Sequence, residues 1–592
     1  MMIRCLVLAC CLVAWSPPSR GASQANVPTP KVTRPPADAP GTPGRHYPFF
    51  ATDIVLADYG YVEEEFFYEG TAHTYAAATL GQTAEITRSG VPFRSRLIVR
   101  RPVSQVRFNG VVFVEWLNVT NGYDTDVLWL YQKEFLVREG YAWVGVSAQD
   151  GGLSRAPNGI KVWSPTRYGS LDLTAGGTVE DASLNFDVFS QAAAAIRRVP
   201  AVLDGLTLTH VIAAGQSQSA GRLVPYLNAV HPLDPVFDAA LLTVNNGALR
   251  PDLTIPVIKV LSETERATSR REAETSRVRI WTVAGSTHSE QYSLLSRAAF
   301  LARDLNLEAQ DGCGTPARSR VEIRYVYNAA TDWLVRWLRT GTAPPAGRPL
   351  EFDETAAAAA GSRGGQAPER PVRRDAHGNI LGGIRLAEIE APVAVENAEL
   401  CGLGGTHVPF PTDVVNRLYP THQAYVRRVT GASDAAVKAG FLLSADAAQS
   451  IDAARRAIWG RQLTCGPLCA DVRQFPLNPS SQLLSKQTSF LMITGGRSLV
   501  EAMDTATLRL AEGYTAGETT PAGRRKFRDA ARAIDRYMAG VRDIRKQGHM
   551  SAETAALLGK QADVLRARVL AVADAPDRKR AAGFSPPHGP QG

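Results

Sequence analysis

Cysteine, histidine and long apolar runs are all scarce in this chain. Its 592 residues include only seven cysteines and ten histidines, which excludes a dense disulfide scaffold or an array of metal sites. Past the first fifteen residues, no stretch is apolar enough to cross a bilayer. The formal charge is only +8, with both signs interleaved, so we expect no nucleic-acid partner. The length predicts two or more domains.

The one apolar run that resembles a targeting segment lies at the start of the chain. Met1 to Arg4 form a charged beginning, Cys5 to Trp15 are apolar, and small residues follow up to Ala25. This order is typical of a secretory signal peptide, which we predict over residues 1–25. The mature protein would then be exported, periplasmic or secreted, with no integral membrane span. An uncleaved anchor and a lipoprotein attached at Cys10 are the alternatives.

The cysteines divide between the leader and the mature chain. Three of the seven leave with the predicted signal peptide, and an even number in an exported chain predicts disulfides. Pairing nearest neighbours joins Cys313 to Cys401 and Cys465 to Cys469. The close spacing of the second pair is also compatible with zinc. No second pair or histidine cluster accompanies it, so we predict no metal.

Apolar runs alternate with helical patterns through the first half of the chain. Short alternating runs between residues 59 and 99 indicate an antiparallel edge. Continuous apolar runs are then typical of buried parallel strands. These runs lie at residues 110–118, 141–147, 211–215, 237–244, 255–261 and 278–283. The pattern predicts an α/β fold with a mostly parallel sheet and helices on both faces.

Composition divides the rest of the chain. Residues 26–47 are rich in proline and threonine, and we interpret them as a linker. The α/β domain is predicted over 48–469, its last part covering the site. Residues 470–577 are amphipathic and predict a helical bundle, followed by a disordered tail over 578–592. The apolar face of its central helix carries Phe527, Ile534, Tyr537, Val541 and Ile544.

A strand-to-helix turn carries the first chemical signal. The run ending at Gly215 leads into Gln216-Ser217-Gln218-Ser219 and then into a helical pattern. This resembles G-x-S-x-G, the sharp turn that exposes a serine nucleophile above a sheet. Ser219 replaces the last glycine, which the turn tolerates because it requires a small side chain. Ser217 is favoured as nucleophile. With Ser219 in that role, Arg222 would occupy a position that must be small.

A serine nucleophile needs a base and an acid, which follow it in chain order in this architecture. His288 directly follows the strand over 278–283 and is the predicted base. Glu263 and Glu265 both follow the strand that ends at Leu261. We favour Glu265, which lies a loop's length beyond the strand and can bend back toward His288. Glu263 remains the alternative acid.

The oxyanion of the reaction needs two backbone N–H donors. The Gln218 amide, directly after the nucleophile, is the first candidate. The second should come from the loop after the strand over 110–118, where Asn118 and Val119 lie. Asn118 could equally be a turn former. None of this chemistry requires a cofactor.

Several segments together resemble a family of exported bacterial α/β hydrolases, most of them without an assigned substrate. The resemblance covers roughly residues 50 to 460 and excludes the C-terminal helices. It implies an α/β-hydrolase fold with Ser217 and His288 in the triad, whereas the family often has Asp where this chain has Glu265. The segments are VEWLNVT (114–120), GQSQSAGRL (215–223), SETE (262–265), VAGSTH (283–288), GNILGGIR (378–385) and LYPTH (418–422).

The sequence therefore predicts a secreted serine hydrolase, most consistent with a carboxylesterase-like enzyme acting on a small-molecule ester. A peptidase or amidase with the same triad is one alternative. A non-catalytic binding protein that keeps the fold is the other, since a fold does not by itself guarantee chemistry.

Overall fold

A nine-stranded sheet forms the centre of the computed structural model, which describes residues 26–36, 45–268, 272–309, 311–313, 317–353, 371–457 and 477–575. The strand order is β1-β2-β3-β5-β4-β6-β7-β8-β9, and β10 and β11 form a separate hairpin. The strands are β1 Lys31–Thr33, β2 Tyr61–Tyr75, β3 Ile86–Pro102, β4 Val111–Trp116, β5 Ala142–Val146, β6 His210–Gln216, β7 Ala239–Thr243, β8 Val257–Ser262, β9 Val278–Val283, β10 Ala394–Asn397 and β11 Thr406–Pro409.

Strands β4 to β9 are all parallel to one another. Strands β1 to β3 form an antiparallel edge, and β3 joins it to the parallel part by pairing with β5. Every residue of β4, β5, β7 and β8 is buried. This burial is the reason that they read as continuous apolar runs, because helices cover both faces of a parallel sheet. The predicted α/β-hydrolase fold class is confirmed.

Eighteen α-helices are assigned within the described ranges. They are α1 Val127–Arg138, α2 Asp150–Leu153, α3 Ile160–Trp163, α4 Pro165–Tyr168, α5 Asn185–Arg198, α6 Pro200–Leu203, α7 Gln218–Pro225, α8 Gln291–Ser296, α9 Ala298–Leu305, α10 Arg324–Thr340, α11 Ala387–Glu390, α12 Thr412–Leu418, α13 His422–Lys438, α14 Ser444–Arg456, α15 Asn478–Phe490, α16 Arg497–Ala516, α17 Pro521–Lys546 and α18 Ala552–Ala573. Short 3₁₀ turns cover Leu56–Tyr59, His231–Leu233 and Glu263–Thr268, and a π turn covers Tyr226–Val230.

Alternation along β4 distributes the helices between the two faces of the sheet. Val112 and Val114 pack into a core with α5 and α7. Val111 and Phe113 face the other way, into a core with α1 and α10. Because successive side chains of a strand point to opposite faces, one short strand anchors both layers.

The predicted linker over 26–47 is only partly correct. Lys31–Thr33 pair with β2 as an edge strand, and Val27 is buried in the main core. The Lys31 ammonium also meets Glu69 at 2.8 Å. A proline-rich stretch can lie at a sheet edge because an edge strand does not need every N–H for pairing.

The C-terminal helices α15 to α18 share a core of their own, in which Met503, Leu510, Phe527, Ile534 and Tyr537 are fully buried. Helix α17 buries all five residues of the predicted apolar face, and the Ser551 side chain caps α18 by accepting from the Thr554 amide. The bundle also contacts the α/β domain: the rings of Phe490 and Tyr292 lie 4.5 Å apart.

Cys313 and Cys401 form a disulfide, with their Cα atoms 5.5 Å apart. Cys465 and Cys469 lie outside the described residues, as do the predicted signal peptide and the tail over 578–592. Within the ranges that are described, no helix has both the length and the apolar character needed to cross a bilayer.

Candidate active site

Ser217 lies in the turn between β6 and α7. Its backbone has φ 59° and ψ −118°, a conformation that costs a non-glycine residue about 1–3 kcal/mol. The surrounding residues hold this geometry: the Ser217 amide donates to the Thr243 carbonyl at 2.9 Å. A Cβ at Gly215 would come within 2.9 Å of the Ala220 nitrogen, so only glycine lets the strand and the helix approach this closely.

Ser219, the other serine of the turn, is turned inward. Its side chain is fully buried, and its hydroxyl donates to the Gln216 carbonyl and accepts from the Gln216 amide, both at 3.0 Å. It therefore closes the turn beneath Ser217. The reading of Ser219 as an alternative nucleophile does not agree with this placement.

His288 reaches Ser217 from the loop that follows β9. Its Nε2 lies 2.7 Å from the Ser217 Oγ, although the two residues are 71 positions apart. Gly285 allows the loop to turn, at φ 69°, where a Cβ would meet Ile389 at 2.4 Å. The His288 amide donates to the Thr264 hydroxyl at 3.2 Å, which ties this loop to the loop after β8.

Glu265 stands behind His288. Its Oε1 lies 2.7 Å from the His288 Nδ1, and the carboxylate is 8% exposed. The other oxygen accepts from the Ser262 amide at 2.8 Å and from the Ser262 hydroxyl at 2.7 Å. Since a carboxylate only accepts, Nδ1 carries a proton and Nε2 is free to accept the proton of Ser217.

Glu263, the alternative acid, belongs to a different contact. Its carboxylate is fully buried and accepts from the Gly285 amide and from Arg374, both at 3.0 Å. It supports the backbone of the histidine loop and does not contact the imidazole. In a 3₁₀ turn, with three residues per turn, side chains two positions apart point in different directions.

The three backbone amides proposed as oxyanion donors differ in whether their N–H groups are already used. Gln218 begins α7, where the first amides of a helix have no intrahelical acceptor. The Val119 amide is near it and donates to the Gln218 Oε1 at 3.4 Å. The Asn118 amide donates to the Thr125 carbonyl at 3.0 Å. Of the two roles left open for Asn118, this contact favours the turn former, because its N–H is already used in the loop.

Four residues near the site were absent from the sequence prediction. The Asn245 side chain donates to the Ser217 carbonyl at 3.3 Å, and Gln149 pairs with the Gln218 side chain at 2.6 Å. The other two are Ser262 and Thr264. Of the four, only Ser262 had a signal: Ser262 to Glu265 match the S-x-x-E capping box, in which the serine and the glutamate side chain bond at a helix start.

Within the described part of the chain, no group of three or more His, Cys, Asp or Glu side chains is arranged to hold a metal ion.

Comparison with known proteins agrees with this architecture. A family model described as an alpha/beta hydrolase domain matches residues 32–452. The chain belongs to the α/β hydrolase domain family. This α/β hydrolase matches no curated protein in sequence, and its helices α15 to α18 lie outside the family match.

Solved structures give only remote likenesses. One is a cold-adapted esterase from an Arctic intertidal metagenomic library, at 13% identity over 37% of this chain and 84% of its own, TM-score 0.22. Another is a fungal esterase from Rhizomucor miehei, at 12% identity over 48% and 85%, TM-score 0.26. A serine hydrolase without lid from Xanthomonas campestris has 14% identity over 35% and 83%, TM-score 0.21.

Proposed function

We propose that this α/β hydrolase is a carboxylic ester hydrolase that works through an acyl-enzyme. Ser217 is the nucleophile, His288 the general base and acid, and Glu265 the residue that orients and stabilises the imidazole. The observation that carries the proposal is the continuous series of contacts from Ser217 Oγ to His288 Nε2 and from His288 Nδ1 to Glu265 Oε1, each 2.7 Å long.

The reaction follows from these contacts. As Ser217 attacks the ester carbonyl, its proton passes to Nε2 of His288, and Glu265 stabilises the imidazolium that forms. The imidazolium then protonates the leaving alcohol, and the acyl group remains on Ser217. A water molecule, activated by the same imidazole, hydrolyses the acyl-enzyme and restores the free serine.

The negative charge of the tetrahedral intermediate would rest on the Gln218 and Val119 amides. The Val119 N–H now donates over a long 3.4 Å contact to the Gln218 side chain, a weak bond that a substrate oxygen can replace. Losing one such donor typically lowers turnover by roughly 10²–10³-fold.

The test of the nucleophile is labelling by a fluorophosphonate probe in matched serine variants. Ser217→Ala should abolish labelling and ester hydrolysis. Ser219→Ala is the control, because its hydroxyl is buried against Gln216 and should leave labelling in place. Undiminished labelling of purified Ser217→Ala, or loss of labelling only in Ser219→Ala, contradicts the proposal.

Ester chemistry is tested separately from the nucleophile. A panel of p-nitrophenyl esters from acetate to palmitate is compared with the matched p-nitroanilides. We expect turnover of the esters and little or none of the anilides. Preferential cleavage of the anilides would identify an amidase. If the probe labels the protein but neither series is hydrolysed, ester hydrolysis is refuted for these acyl groups.

We further propose that the mature chain is exported, with residues 48–469 as the catalytic domain and 470–577 as an added bundle. The charged and apolar start of the chain and the Cys313–Cys401 disulfide support export, since disulfides persist in oxidising compartments. N-terminal sequencing of the protein from the periplasm or the medium should find a chain that begins near residue 26.

A further inference from the structure

A cavity of about 850 Å³ lies where the C-terminal helices meet the α/β domain. It is lined by residues of α11, β10, α13, α14, α15 and α16 and by the segment over 320–325. None of Ser217, Glu265 and His288 is among the described residues that line it. The volume is within the range of pockets that hold small molecules, so this cavity is a separate candidate site.

One wall of the cavity is apolar. Ala387, Ala391 and Val429 form a small buried cluster, and the ring of Tyr425 packs against it. All four residues line the cavity, together with Val393. A wall of this composition offers a surface for the hydrocarbon or aromatic part of a ligand.

The cations of the cavity are mostly neutralised by protein carboxylates. Lys486 meets Glu322 at 3.1 Å, and Arg324 meets the same carboxylate at 3.0 Å. Arg456 meets Asp504 at 2.9 Å. These pairs satisfy the usual rule that a charge removed from water is matched by an opposite charge.

Arg320 is the exception. It lines the cavity, and its buried Nε has no hydrogen-bond partner. Its guanidinium takes part in no ion pair within the ranges that the structure describes. Burial lowers the pKa of Arg320, as expected for a cation without a close counter-ion.

Glu396 and Asp311 are the two carboxylates whose negative charges act on the Arg320 guanidinium and raise its pKa. Glu396 uses one oxygen for His407, at 2.6 Å, and the other for the Arg320 backbone amide, at 3.0 Å. Asp311 accepts from the Arg318 guanidinium and backbone, at 3.1 and 3.2 Å. Neither carboxylate hydrogen-bonds the Arg320 guanidinium.

We propose that this cavity binds a small organic carboxylate, whose carboxylate group pairs with the Arg320 guanidinium while its apolar body lies against the wall around Ala391 and Val429. A guanidinium matches a carboxylate through two parallel N–H···O bonds. The site is independent of the proposed ester hydrolysis, because it lies apart from the triad.

The surrounding charges select a monoanion. Glu322, Glu388 and Glu396 line the same cavity, and Arg320 is the one cation without an ion pair among the described residues that line it. A dianion such as phosphate would gain one partner and meet several carboxylates at short range, which is unfavourable in a partly buried site. A ligand with a single carboxylate gains the pairing without that repulsion.

Isothermal titration calorimetry of the full chain with benzoate and hexanoate tests the proposal, with benzamide and hexanamide as neutral counterparts. We expect at least one of the two carboxylates to bind with a stoichiometry of one, and the corresponding amide to bind much more weakly. Arg320→Met should weaken binding by about 10- to 100-fold, the effect of losing charge-assisted hydrogen bonds. Arg336→Met, on an exposed surface pair, is the matched control and should bind normally.

Two further measurements separate the cavity from the active site and from misfolding. Binding should persist in Ser217→Ala, whose active site is altered and whose cavity is not. Arg320→Met should melt at the same temperature as the parent or higher, because Arg320 is half-buried and has no ion pair among the described residues for the substitution to break. The proposal is overturned if neither carboxylate binds, if benzamide binds as well as benzoate, or if Arg320→Met binds as the parent does. Loss of binding in Ser217→Ala or a lower melting temperature of Arg320→Met would overturn it as well.

Discussion

Ser262 donates both its amide and its hydroxyl to one carboxylate oxygen of Glu265, at 2.8 and 2.7 Å. The pair makes one half of a capping box at the start of the 3₁₀ turn after β8, since the Glu265 side chain accepts from the Ser262 amide, while the Ser262 hydroxyl accepts from the Thr264 amide at 3.2 Å. The second oxygen of Glu265 remains available to His288. A local element that normally only begins a helix therefore also fixes the carboxylate that faces the imidazole.

The two glutamates of this loop should respond differently to the same substitution. Glu265→Gln should lower kcat by about 10³–10⁴-fold, because an amide cannot hold the imidazole in the required tautomer. Glu263→Gln should leave kcat within a few-fold of the parent and lower the free energy of unfolding by roughly 1–3 kcal/mol, since Arg374 loses its buried partner. Steady-state kinetics and urea unfolding of both variants decide this. A large loss of kcat in Glu263→Gln alone would reverse the assignment.

Removing the Ser262 hydroxyl should weaken catalysis without abolishing it. Ser262→Ala keeps the backbone donor to Glu265 and loses one charge-assisted hydrogen bond, so we expect kcat to fall by roughly 10-fold. KM should change little, because Ser262 is fully buried and its hydroxyl contacts Glu265. Ser262→Thr, which restores a hydroxyl, should recover part of the loss. Equal kcat in Ser262→Ala and the parent would show that the amide alone orients Glu265.

Glycine at position 215 should be essential for packing. Gly215→Ala places a methyl group 2.9 Å from the Ala220 nitrogen and from Leu223, which separates β6 from α7 and displaces Ser217. We expect a free energy of unfolding lower by about 1–3 kcal/mol and a large loss of activity.

Gly431→Ala is the matched control for Gly215→Ala. Gly431 lies inside α13, and an added Cβ there meets no atom within 4 Å. The same change should therefore stabilise the protein by about 0.5–1 kcal/mol through helix propensity and leave activity unchanged. Similar melting temperatures for the two variants would contradict the tight strand-to-helix contact.

Stability should fall as the pH rises from about 6.5 to 8. Burial raises the pKa of Glu115 to about 8 and of Glu290 to about 7, so the folded state holds protons that the unfolded state has already released. Unfolding therefore releases protons in this range, and the free energy of unfolding decreases with pH, by about 1–3 kcal/mol in total. Burial lowers the pKa of His231 from 6.5 to about 4, which acts in the opposite direction, mainly below this window and weakly at its lower edge.

Calorimetric melting at pH 6.5 and 8 measures the effect, with Glu290→Gln as the diagnostic variant. Glu290 bonds the Tyr131 hydroxyl through one oxygen, and its other oxygen has no hydrogen-bond partner. A neutral amide there should reduce the difference in melting temperature between the two pH values. A parent protein that is more stable at pH 8 than at pH 6.5 would contradict the prediction.

The sequence alone determined the sheet and the strand-to-helix turn that carries Ser217, because both depend on local patterns. Buried parallel strands must be apolar on both faces, as in β4 and β7, and a strained turn requires small residues such as Gly215. The bundle helix α17 could be predicted equally well, because its apolar residues repeat with the helical period and the helix begins at Pro521.

Only the tertiary structure decided which of two similar side chains reaches a given partner. Glu263 and Glu265 are two residues apart and chemically alike, yet one meets Arg374 and the other His288. Likewise the Asn118 amide is used by Thr125, and Lys31–Thr33 join a sheet edge. Each outcome depends on the path of loops distant in sequence, and a contact between two such loops leaves no local pattern in either.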